Sequence, residues 1–146
     1  MTPSRPRAAA RERARMKQTM AYQFKKHYTR DEARSLLPQI RQWLEQLAPL
    51  RSQLQKADRR LSGMMAEGKD LGGNMVNDWA RHMLDLRKLL MEFHSRDILV
   101  KDLERGLVDF PAIIGDKEVF LCWEKDEDDI EFWHDIDAGY SGRERI

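Results

Sequence analysis

The sequence predicts an α+β protein in which a long antiparallel helical hairpin is followed by a small antiparallel sheet of three or four strands. Three observations carry that prediction: a capping signature at Thr29 that opens a heptad-spaced apolar run, a glycine-rich break followed by a second such run, and a switch after His94 to short runs of β-branched and aromatic residues. The 146 residues suffice for one domain with a core, assigned to 29–146, with the hairpin at 29–95 and the sheet and C-terminal tail at 96–146.

The first helix starts at Thr29-Arg30-Asp31-Glu32. The Thr29 hydroxyl can accept from the Glu32 amide, and two early carboxylates suit the positive end of the helix dipole. Ala33, Leu36, Ile40, Trp43, Leu47, Leu50, Leu54, Ala57, Leu61 and Met64 then alternate in steps of three and four. Pro38 and Pro49 each remove a helical donor, so kinks are expected near Leu37 and Ala48. Gly63, Gly68, Gly72 and Gly73 mark a loop, and Asn74 or Asn77 would cap a second helix carrying Val76, Trp79, Met83, Leu86, Leu90 and Phe93.

A straight helix from Thr29 to Leu61 would be about 50 Å long, against a radius of gyration of about 13–14 Å for a compact domain of this size. Either Pro38 folds it back, or the hairpin protrudes and finds a partner. A protruding apolar seam pairs most simply with a second copy. A homodimer or other homo-oligomer is therefore expected through Ile40, Trp43, Leu47, Leu50, Leu54, Trp79, Met83 and Leu86; another protein could also occupy the seam.

Beyond His94, residues 98–101, 107–110, 119–123 and 130–134 read as strands, with turns at Gly106 and Gly115-Asp116. Pro111 should end or edge the second strand, because it cannot donate to a ladder. Residues 119–123 and 130–134 are apolar on both faces, so both sides of the sheet should be covered. A hairpin centred on Asp128 would put Cys122 opposite His134 and Trp123 opposite Trp133.

The net charge of +1 conceals a segregation: residues 1–30 carry nine basic residues against the single Glu12, while Asp116 to Asp137 holds ten acids and two bases. Residues 1–28, with Pro3, Pro6 and Ala8-Ala9-Ala10, read as a basic, disordered tail, with Met16 and Met20 as alternative starts. Nucleic acid is expected to bind, if anywhere, only through this tail. No run approaches the ~18 apolar residues of a membrane helix and no secretory leader is visible, so a cytoplasmic protein is expected, with no membrane partner. The single Cys122 excludes an internal disulfide framework. Phosphate-loop, dinucleotide, nucleophile-elbow and paired-histidine zinc motifs do not occur.

Lys101-Asp102-Leu103-Glu104-Arg105-Gly106-Leu107-Val108-Asp109-Phe110-Pro111-Ala112, then Leu121-Cys122-Trp123, then Trp133-His134-Asp135-Ile136-Asp137-Ala138-Gly139 and Gly142-Arg143, closely resemble a bacterial family known as domain of unknown function 2203. The resemblance runs from about Tyr28 to the C-terminus, includes the Thr29 to Pro38 opening and leaves the basic tail outside. It implies no established activity. The chain departs from the family pattern at His94-Ser95-Arg96-Asp97, where members tend to carry a glycine, and at the acidic Lys125 to Asp129 loop, where they carry a short Gly-Glu turn. That loop is therefore not expected to be the shared functional element.

Two functional readings follow from the residues. The first is a non-enzymatic, self-associating or partner-binding domain built on the hairpin, in which Asp102, Arg105, Asp135 and Arg143 form a polar network that fixes the C-terminus; the two arginines would pair with Asp102, Asp109 or Asp137. The alternative is a metal-binding protein or metal-dependent hydrolase, with a divalent ion on Asp109, His134 and Asp137 and no other cofactor. Cys122 reads as an inert core residue: it sits mid-strand among Phe120, Leu121 and Trp123.

Overall fold

The computed structural model describes residues 5–70 and 72–146, with no side-chain description for residues 5, 6 and 17–21. Three helices, α1 (Arg5–Ala21), α2 (Arg30–Ala66) and α3 (Gly73–His94), precede five strands, β1 (Leu99–Asp102), β2 (Leu107–Ile114), β3 (Lys117–Glu124), β4 (Phe132–Asp135) and β5 (Glu144–Arg145). The fold is α+β.

The described part of the stretch expected to be a disordered tail is helical in Arg5–Ala21, in keeping with the helix propensity of its alanines and arginines; the expectations for residues 1–4 lie outside the described residues. Thr29 caps α2 as expected, accepting from the Glu32 amide at 3.1 Å. The helix runs unbroken for 37 residues through Pro38 and Pro49, about 55 Å. Both prolines are exposed, so the carbonyls they leave without a donor can turn to water. The α3 helix begins at Gly73 behind Gly72, earlier than an Asn74 or Asn77 cap would place it, and has no side-chain cap.

The sheet has five strands rather than three or four, in the order β1-β2-β3-β4-β5, all antiparallel. The extra strand is Glu144–Arg145, which pairs with Phe132 and Trp133; two charged residues give no hydrophobic alternation by which to read them as a strand. At the centre, Gly115 and Asp116 both take positive φ, 54° and 64°, and make the two-residue turn that joins β2 to β3. Pro111 lies inside β2 instead of ending it. Its carbonyl accepts from the Tyr28 amide at 2.7 Å, on the side away from β3, so its nitrogen also points to that edge and costs no ladder bond.

Residues alternate from face to face along β2, β3 and β4. Val108, Phe110, Ala112, Val119, Leu121 and Trp123 pack on Ala33, Leu37, Ile40, Trp43, Leu44 and Leu47 of α2 and on Phe93 of α3. Asp109, Pro111, Phe120, Cys122 and His134 face the other way and are buried too. That second face is covered by residues 22–28 and by the C-terminal segment: Phe24 stands edge-on to Phe120 at 5.3 Å, and Arg143 lies 3.8 Å over the Phe132 ring.

The α2 and α3 helices pack together with Trp43 against Phe93 at one level and Asp58 accepting from the Trp79 indole at 2.7 Å at another. Phe93 is the single fully buried residue of α3. Replacing it with alanine should destabilise the protein by about 3–5 kcal/mol in urea denaturation, whereas Thr29→Ala should cost about 1 kcal/mol.

Candidate functional site

Three polar side chains meet on the sheet face away from the helices. Asp109 stands opposite Cys122 in the β2–β3 ladder, and His134 stands opposite Phe120 in the β3–β4 ladder. The last hairpin is offset by two residues from a turn centred on Asp128: Cys122 faces Phe132, Leu121 faces Trp133, and the longer loop from Lys125 to Glu131 takes up the difference. A two-residue shift preserves the face, so His134 still reaches Asp109 and Cys122, diagonally. Asp109 is 2% exposed, Cys122 1% and His134 3%.

His134 Nδ1 lies 2.8 Å from the Asp135 carbonyl, which can only accept, so Nδ1 carries a hydrogen. Nε2 lies 3.1 Å from Asp109 Oδ2, and that contact needs one proton, held by one group or the other. Burial pushes the Asp109 carboxyl above its ordinary value, against the pull of His134. Burial, reinforced by Asp109, pushes the Cys122 thiol up to about 12, with Arg143 pulling the other way. Cys122 is therefore a thiol, and both nitrogens of His134 are engaged elsewhere, so the cluster lacks the thiolate–imidazole pair of a cysteine nucleophile.

The cluster differs in membership from the expected metal set. Ligand atoms of Asp109, Cys122 and His134 lie within 4.8 Å of one another, whereas Asp137 is exposed on an open cleft of about 630 Å³ with Gln23, Lys117, Glu118 and Asp135. The reason is local: β4 ends at Asp135, where the Ala138 amide closes a turn on the Asp135 carbonyl, and Asp137 is carried outward. Cys122, set aside as core, takes its place. The signal lay in the Gly115-Asp116 turn, whose two-residue geometry alone sets Asp109 opposite Cys122.

Of the four residues expected to form one polar network, Arg105 and Arg143 converge on Glu124 and on the Tyr140 ring, Asp102 meets Arg105 through its backbone amide, and Asp135 pairs elsewhere. Asp102 accepts from the Glu104 and Arg105 amides, and Asp135 pairs with Lys117 at 2.6 Å. Arg105 pairs with Glu124 at 2.9 Å, and Arg143 with Glu127 while reaching toward Glu124. Glutamates of β3 and its following loop, not aspartates, thus receive the two arginines that hold the C-terminal segment. Of the expected oligomer seam, Ile40, Trp43 and Leu47 lie in the intramolecular core, and Leu54 is buried. Leu50, Trp79 and Leu86 are half-buried, and Met83 is exposed.

Glu118 straps residues 22–28 across this face. It accepts from the Gln23 and Phe24 amides at 2.9 and 3.1 Å and lies 2.7 Å from His27 Nε2.

A small antiparallel sheet carrying a sealed polar cluster and supporting two long helices defines an α+β domain with its polar centre inside the sheet. The chain belongs to the family described as uncharacterized conserved protein (DUF2203), whose profile matches residues 26–146. No curated protein and no solved structure matches the chain. Among the described residues, no helix is long and apolar enough to cross a membrane.

Although burial raises the Glu118 carboxyl, its bonds to His27 and the two amides outweigh that effect and hold it below the usual value of 4.5. The strap's contribution is then fully present above about pH 4.5 and is lost as the pH falls through the lower folded value. Denaturation across an acid pH series should show Glu118→Gln less stable than wild type at neutral pH by about 1–3 kcal/mol, with the gap closing in acid.

Proposed function

We propose that this protein is a non-enzymatic, self-associating domain: the sheet is a rigid base, and the two long helices form a hairpin whose outer face pairs with a second copy. One observation carries the proposal. Phe93 alone is fully buried among the 22 residues of α3, while Val76, Met83, Leu84 and Met91 are 38%, 42%, 57% and 49% exposed. Those four positions recur at intervals of seven and eight, which lines them up on one side of a helix, and Met75, Trp79 and His82 line a groove with α2 on another. With Phe93, Leu86, Leu89 and Leu90 already turned to the core, this second apolar stripe is surface that the helix leaves for another molecule to cover. Two such hairpins laid face to face would make a four-helix bundle around a twofold axis.

A hydrolytic metal centre has less support. Catalytic metal needs an open position facing substrate, and the polar cluster is sealed to within 3% exposure.

Sedimentation equilibrium should find a concentration-dependent dimer. A Met83→Glu/Leu84→Glu double variant should sediment as a monomer with its far-ultraviolet circular dichroism retained. Wild-type protein that stays monomeric at the highest attainable concentration would overturn the proposal.

A further inference from the structure

The geometry points to a zinc site that joins three strands: we propose that Asp109, Cys122 and His134 bind one Zn²⁺ inside the sheet, as a structural ion. The donor set selects the metal. A thiolate, an imidazole and a carboxylate suit a borderline-soft ion in tetrahedral geometry, whereas magnesium and calcium require oxygen ligands throughout.

Distances agree with that choice. Zinc bonds of about 2.0–2.3 Å put neighbouring ligand atoms about 3.3–3.6 Å apart. Nε2 of His134 and Oδ2 of Asp109 already stand 3.1 Å apart, and all three ligand atoms lie within 4.8 Å. The site requires Sγ of Cys122, within 4.8 Å of the other two ligand atoms, to close on the same centre by rotation about its single side-chain torsion.

Two further observations point to a ligand. Asp109 Oδ1 is buried without a nitrogen or oxygen donor, in a side chain 98% removed from solvent, and the Cys122 thiol beside this carboxyl is a weak donor, so the oxygen is costly to bury. His134, for its part, is oriented as metal-bound histidines are: Nδ1 donates to the Asp135 carbonyl, which fixes the ring and leaves Nε2 facing the cluster. Zinc would displace the proton between Asp109 and His134 and the thiol proton of Cys122 to solvent, and would tie β2, β3 and β4 together at one point. With all three residues sealed, no substrate reaches the ion. Its role is to hold the sheet.

The test uses the full chain, prepared without a histidine tag, stripped with a chelator and titrated with Zn²⁺ and, separately, with Co²⁺. The expected results are one zinc per chain, a raised Tm, and a cobalt complex with thiolate-to-metal charge-transfer absorption. That band can come only from Cys122, the one cysteine of the chain. Cys122→Ser should weaken zinc binding more than about 100-fold and abolish the band, while His94→Gln, exposed on α3, should leave both intact. A wild-type Tm indifferent to zinc, a cobalt complex lacking the thiolate band, or a Cys122→Ser chain that retains one zinc would each overturn the site. Should Cys122→Ser fail to fold, Asp109→Asn decides: a cobalt spectrum identical to wild type overturns the proposal, and a shifted or weakened one supports it.

Discussion

The turn at Gly115-Asp116 fixes how β2 lies on β3, and the rest of the molecule inherits that register. Both residues hold positive φ, at 54° and 64°, the geometry whose twist matches a right-twisted hairpin. From it the ladder runs without a break from Ile114↔Lys117 to Leu107↔Glu124. A slip of β3 by one residue would exchange its faces, sending Val119, Leu121 and Trp123 out of the helix-packed core and turning Cys122 into it, away from Asp109. The apolar core and the polar cluster are therefore specified together, each on the face that the other does not occupy, and the cost of misplacing either enforces the register of both.

The acidity of the C-terminal half finds its explanation in packing. Arg30 and Arg34 meet Asp129, and Arg30 Nε also donates to the Ile130 carbonyl. Arg41 donates to the Lys125 and Glu127 carbonyls at 2.6 and 2.9 Å and lies 4.9 Å over the Trp123 ring. The loop after β3 is thus a docking pad for the first turns of α2, with its carbonyls and carboxylates turned toward one row of arginines. Glu124 and Glu127 receive Arg105 and Arg143 on the other side. Many of these pairs are solvated, and their worth lies more in orientation than in stability. What they orient is a long lever: α2 is seated on the sheet by its first half, reaches Glu104 through Arg51, and packs its second half on α3.

Legibility followed the strength of the local signal. The α2 start was readable because Thr29 and Glu32 satisfy the helix end by themselves, and the heptad run from Ala33 to Met64 identified the long helix. Its buried stripe widens to take in Leu37 and Leu44 beside Ala33, Ile40, Trp43, Leu47 and Leu54, because a sheet offers a broader surface than the narrow seam of a coiled coil. Strand β5 was not readable: Glu144 and Arg145 are strand residues only because Phe132 and Trp133 offer an edge. The cluster was readable in part. Asp109 and His134 stood out as polar residues among apolar ones, while Cys122 looks in sequence like any small core residue, and its partner across the ladder is visible only once the turn is read as a two-residue loop. Asp137 stood out for the same reason as Asp109, but local charge cannot show that the strand ends at Asp135.

Seen together, the two halves of the domain solve burial in opposite ways. The sheet closes completely: Asp109, Cys122 and His134 sit where apolar residues of equal volume would pack at no desolvation cost, so their presence asks for a compensating bond. The contact between Asp109 and His134 supplies part of it, and Asp109 Oδ1 has no nitrogen or oxygen donor, only the weak Cys122 thiol beside its carboxyl. The helices leave the opposite deficit, apolar surface in water at Val76, Met83, Leu84 and Met91. A buried polar group seeks an ion or a hydrogen bond, and an exposed apolar stripe seeks another surface. The first deficit can be met inside one chain, and the second is the surface on which the proposed self-association rests.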